Sequence, residues 1–213
     1  YDDRYYRVWM HEIPPLRHRE RKTEIDLHHT ILPRTSRLRP DPALLLCAAR
    51  PLADPRMCVL APVDMVLHSL VHLFLEGDPV EGLRLRDLVD VKDLLAHFGQ
   101  DSRFWESLVP RARELGLERP LYYGLRYAQS ILGASVPATV ATEAEHGAPL
   151  VLQRVLMDLL VPLAIFPGHP DFPRRVAALA RWMLYVRSHW LRMPPLLLLR
   201  HLGYQARLRV RGV

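Results

Sequence analysis

Three prolines fall within ten residues in PRTSRLRPDP (33–42). A segment so short of backbone donors cannot run through the interior of a sheet or a helix. It divides the chain into two kinds of text. Ahead of it, RYYRVWMHEI (4–13) and TEIDLHHTIL (23–32) are rich in aromatic and β-branched residues and read as two strands. Pro14 and Pro15 end or bend the first, and LRHRERK is a polar connection, so the pair reads as an antiparallel hairpin with a long loop.

Beyond the boundary the apolar residues recur at helical spacing. MCVLAP (57–62) suggests one more short strand, and then Val63, Val66, Leu67, Leu70, Val71 and Phe74 follow a 3.6 period with Pro62 suited to the first turn. Leu85, Leu88, Val89 and Leu95 form a second helical stripe, closed by Gly99. Asp101 or Ser102 caps a third helix, FWESLVPRARELG, with Pro110 as a candidate kink. A fourth, PLYYGLRYAQSILG, stops at Gly133, and residues 134–149 read as a loop. PLVLQRVLMDLLVPL and DFPRRVAALARWMLYVRSHW predict two more, and PPLLLLRHLGYQARL a last one. The expected fold is α+β: a short antiparallel β part over residues 1–60, then a mostly helical domain over 61–213.

Composition narrows the function classes. Of 213 residues, 49% are hydrophobic and 24% charged, the mix of a globular chain. The net charge of +6 comes almost wholly from arginine, Lys22 and Lys92 being the only lysines, and it suits a polyanionic partner such as a nucleotide or nucleic acid. Cys47 and Cys58 lie eleven apart in apolar text, which excludes a cysteine zinc site and reads as two buried free thiols. No apolar run reaches the length of a membrane span. These features suit a reducing cytoplasm.

Several residue groups are candidates for chemistry. On a strand over 23–32, alternation puts Ile25, Leu27, His29 and Ile31 on one face and Glu24, Asp26, His28 and Thr30 on the other. The apolar set is expected to reach a core, leaving Asp26 and His28 toward a cleft or water. A hard cation such as Mg²⁺ takes one or two carboxylates plus phosphate oxygens, a role open to Asp26. Asp64, His68 and His72 form one helical stripe, a zinc chelate or else an acid at a helix start with packed histidines. Arg86 and Asp90 are spaced to pair, or Arg84 and Arg86 could reach a phosphate with Asp90 orienting them. The basic C-terminal stretch suits a packed helix with a solvated tail, the aromatics at 182, 185 and 190 marking its core face; the alternatives are an anionic membrane or a nucleic-acid backbone. No GxSxG, GxGxxG, Walker or HExxH pattern is present.

The order of the pieces adds a resemblance. MHEIPPL, IDLHHTILP, VLAPVDMVLHSLVH, LRLRDLVDVKDLL and FWESLVPRARELGLERPLYYGLRYAQSILGASVP follow one another. Together they resemble the uncharacterised nucleotidyltransferase family of the polymerase-beta-like superfamily, known from bacterial proteins, from about Tyr6 to Pro137. The resemblance implies metal-dependent transfer of NMP from an NTP such as ATP to an acceptor hydroxyl, with two Mg²⁺ ions held by three acids. Asp26 matches the third acid and a metal ligand, and His28 the histidine that follows it. Arg84, Arg86 and Asp90 become candidates for holding the nucleotide. The acceptor could be a small molecule, a protein or an RNA. The family's Gly-Ser or Lys-Gly loop and its DxD strand are expected ahead of Tyr1, since Asp2 and Asp3 lack their apolar context. The alternatives are a catalytically inactive nucleotide- or partner-binding member and a basic helical nucleic-acid-binding protein.

Overall fold

The computed structural model describes residues 10–75, 83–166, 174–200 and 202–203. The first predicted strand therefore lies mostly outside the described residues. From Met10 onward the hairpin is present, with β1 (Leu16–Arg17) antiparallel to β2 (Glu24–Ile25). The ladder continues past the prolines: Ile13 donates its N–H to the Leu27 carbonyl at 3.0 Å, and Glu12 bridges His28. The predicted polar connection is thus shorter than expected. Its turn is held by the His18 ring, whose Nδ1 accepts from the N–H groups of Glu20 (3.2 Å) and Arg21 (3.0 Å). Lys22 occupies the left-handed region at φ 59°.

Next come α1 (Pro42–Ala48), capped by Asp41, and a second minimal hairpin, β3 (Arg50–Pro51) against β4 (Cys58–Val59). The helical body follows: α2 (Pro62–Leu75), α3 (Leu85–Phe98), α4 (Ser102–Glu114), α5 (Glu118–Leu132), α6 (Ala138–Ala144), α7 (Val151–Ile165) and α8 (Arg174–Arg192). The α+β class and the helical C-terminal region are as the sequence predicted. The expected stop signals operate. Asp101 caps α4 by accepting from the Arg103 N–H, Pro110 is accommodated inside a continuous helix, and Gly133 ends α5 at φ 63°. Residues 134–149 are not a loop. They contain α6 and a 3₁₀ turn (Glu145–Gly147), with Val140 and Ala144 buried one turn apart. Two small apolar residues among alanines and threonines make too weak a stripe to be read in one dimension.

The core sits among α2 to α7, where Val66, Leu67, Leu70, Leu88, Leu108 and Leu117 are fully buried. Burying each leucine contributes about 1.5–3 kcal/mol. Helices α2 and α5 approach so closely that a Cβ at Gly124 would stand 2.2 Å from a Leu70 methyl. Two polar staples tie the helices together. Asp64, with no exposed surface, receives two bonds from Arg111 of α4 (Nε–Oδ1 2.7 Å, Nη2–Oδ2 2.9 Å), and Arg111 also donates to the Leu44 carbonyl of α1 at 2.8 Å. That anchoring holds the Arg111 guanidinium well above the usual arginine range, chiefly through its bond to Asp64. Asp158 of α7 accepts from Arg126 (2.8 and 2.7 Å) and from the Tyr127 hydroxyl (3.1 Å) of α5.

The segment after the hairpin clasps the end of α8. Arg37 N–H donates to the Leu191 carbonyl (2.8 Å) and Thr35 Oγ1 to the Arg192 carbonyl (2.7 Å), which satisfies acceptors that a helix C-terminus leaves open. The Arg37 guanidinium lies 4.6 Å from the centre of the Trp190 ring.

Candidate functional site

The hairpin brings together residues that the sequence reading had not combined. His11 and His28 face each other across the ladder with ring centroids 4.8 Å apart. His28 Nε2 stands 3.3 Å from Glu12 Oε2. One donor atom from each of His11, Glu12 and His28 lies within 4.8 Å of the other two. His11 is buried, Glu12 is half-buried, and the His28 side chain keeps 36% of its surface. The backbone explains the meeting: the His11 carbonyl accepts from the His29 N–H at 2.9 Å, which sets Glu12 opposite His28. Nothing local in MHEIPPL marks His11 and Glu12 as parts of a site. The register of an antiparallel hairpin was the signal that could have paired them with position 28.

Two imidazoles and a carboxylate form a donor set for a borderline ion such as zinc, whose tetrahedral ligands stand about 3.3 Å apart at bond lengths of about 2.0–2.1 Å. The Glu12–His28 spacing already has that value. Magnesium prefers oxygen throughout and fits this set poorly. Asp26 does not join the cluster among the described residues. Its carboxylate is exposed. An open carboxylate on a strand suits the single contact that a nucleotide-borne magnesium makes with a protein, but the oxygen set for a pair of such ions is not assembled among the described residues.

The apolar face of β2 departs from expectation. Ile31 and Leu32 are buried, but Ile25 and Leu27 are 64% and 53% exposed, as is Leu16 at 51%. Only the base of the hairpin reaches the core. Both cysteines are free and exposed rather than buried, Cys47 near the end of α1 and Cys58 on β4.

Arg84, Arg86 and Asp90 are all exposed on the first turns of α3 or just ahead of it. Arg84 Nε bonds Asp87 Oδ2 at 3.0 Å, an i,i+3 contact that the sequence reading did not draw. The stripe of Asp64, His68 and His72 splits. Both Asp64 oxygens are engaged by Arg111, while the two histidine rings meet edge-on at 4.7 Å. Along α8, Tyr185 and His189 are buried as a core face requires, but Trp182 and Trp190 are nearly half exposed. Among the described residues no single helix is long and apolar enough to cross a membrane.

The described chain is thus a β hairpin carrying an acid and two histidines, followed by a helical body. Residues 1–133 match the family described as an uncharacterised nucleotidyltransferase, and the chain belongs to that family. Neither a curated protein nor a solved structure matches it.

Proposed function

We propose that this protein transfers a nucleotidyl group from an NTP to an acceptor hydroxyl, with Asp26 contributing a carboxylate to the divalent ion that accompanies the triphosphate. The observation that carries the reading is the family match over residues 1–133, which spans the acid–histidine strand. The exposure of Asp26 supports it, because that carboxylate is open to a ligand. A divalent ion bound there would neutralise the triphosphate and activate the attacking oxygen. The chain's own work is positioning. In this reading His28, which lies 3.3 Å from Glu12, donates a hydrogen bond to a phosphate oxygen. Arg86 offers a guanidinium from α3, with Arg84 steadied by Asp87. The acceptor class is a small molecule, a protein side chain or an RNA end. Activity in the cytoplasm and a boundary near residue 60 belong to the same proposal.

The test uses the full chain with each NTP and with Mg²⁺ or Mn²⁺, and measures pyrophosphate release. Asp26→Asn is expected to abolish release and leave the melting temperature unchanged, because the side chain is exposed. Unchanged turnover in that variant would remove Asp26 from the reaction. Saturable NTP binding with no pyrophosphate from the wild type would replace transfer with nucleotide binding alone.

A further inference from the structure

A cavity of about 490 Å³ lies among α2, α5, α7 and α8, within the size range of small-molecule sites. Its walls are aliphatic and adaptable, with Leu156, Met157 and Leu160 from α7 and Met183 from α8. Two arginines line it, Arg119 and Arg187, and among the described residues no aspartate or glutamate does. This breaks the pattern of the body, where Arg111 has Asp64 and Arg126 has Asp158. Among the described residues neither Arg119 nor Arg187 is paired with a carboxylate. Arg119 Nε donates to the Gly147 carbonyl at 2.9 Å, and Arg187 Nη1 to the Phe74 carbonyl at 3.3 Å. The Arg187 guanidinium sits 5.5 Å from the centre of the Tyr123 ring. Burial pushes the Arg187 pKa down, and the like charge of Arg119 adds to the effect.

Arg187 is half-buried and Arg119 exposed at the cavity's edge, and two like charges lining one cavity repel each other more strongly as their surroundings lose water. An anion between the two would relieve that repulsion. Apart from Gln153, the rest of the lining is aliphatic or aromatic, which suits a ligand whose remaining body is mainly apolar. We propose that this cavity binds an amphiphilic anion, a carboxylate or phosphate head held by Arg187 and Arg119 with an aliphatic body against α7 and α8. Leu156 and Trp190, 42% and 45% exposed, form an apolar rim through which such a molecule enters. The head group could belong to a free amphiphile or to a lipid in an anionic bilayer. The inference is independent of nucleotidyl transfer.

The test is a calorimetric titration of the full chain with decanoate and with decyl phosphate, using decanol as the neutral control. Both anions are expected to bind one to one, and decanol at least about ten-fold more weakly. Arg187→Met should erase that difference and Arg187→Lys should restore part of it. Leu156→Trp, made at the exposed rim and safe for folding, should weaken both anions about ten-fold or more by filling the cavity. Co-sedimentation with phosphatidylglycerol vesicles, against phosphatidylcholine, separates the sources. Vesicle binding lost in Arg187→Met assigns the head to a lipid, and decanoate binding without vesicle binding assigns it to a free amphiphile. Equal affinity for decanoate and decanol overturns the proposal. So does anion binding that ignores both Arg187→Met and Leu156→Trp, or ATP outcompeting the amphiphiles at the same arginines.

Discussion

The hairpin and the helical body solve the burial problem in opposite ways. In the body, two acids are matched by arginines: Asp64 is fully buried and receives two bonds from Arg111, and the half-buried Asp158 receives three from Arg126 and Tyr127. In the hairpin it is the apolar residues that stand in water, at Leu16, Ile25 and Leu27, while the imidazole of His11 is buried. A region that spends its burial on histidine and leaves isoleucine exposed is arranged around its polar face.

Breaking the body should cost most. Arg111→Met strands a fully buried carboxylate and is expected to destabilise the protein by about 3–5 kcal/mol. The double variant Asp64→Leu/Arg111→Met should recover most of the loss, as read by urea unfolding of both. A double variant no better than the single would mean that the pair is not the staple described above.

A smaller effect should appear on acidification. The bonds from Arg126, and after them the Tyr127 hydroxyl, hold the Asp158 carboxyl below the usual carboxylate range against the opposing effect of burial. A folded pKa below the unfolded one stabilises the fold above the unfolded value, and that stability is lost as pH falls through the folded one. The wild type should therefore lose melting temperature more steeply than Asp158→Asn does as pH falls through and below the ordinary carboxylate range. Parallel curves for the two proteins would refute the assignment. At neutral pH the variant should be less stable by no more than about 1 kcal/mol, since both partners are about one-third exposed.

The smallest effect belongs to the hairpin. Ile25→Thr and Leu27→Thr should change stability by no more than about 0.5 kcal/mol, because neither side chain is covered. A loss several times larger, measured by the same unfolding experiment, would show that these residues are buried in the protein in solution.

The contrast between the regions also explains what could be read in advance. Helical stripes such as Val66, Leu67, Leu70 and Val71 were legible because a buried face repeats every turn, and Gly99, Asp101 and Gly133 act on their own neighbours. In the candidate site, Asp26 and His28 were visible as one strand face, whereas His11 and Glu12 were not, since their meeting with His28 depends on register across a turn. The same limit hid the partner of Asp64, which is 47 positions away.

By itself, then, the sequence determined the long amphipathic helices, their stops and the membership of the family, all of which depend on local period or on ordered motifs. The tertiary structure alone decided which apolar faces are covered and which distant charges meet. It buried Tyr185 but exposed Trp182 on one helix, and it left Arg119 and Arg187 around a cavity that no acid lines among the described residues. The physical reason is that periodicity is a property of neighbours along the chain, while burial and ion pairing depend on whatever other segment packs against them.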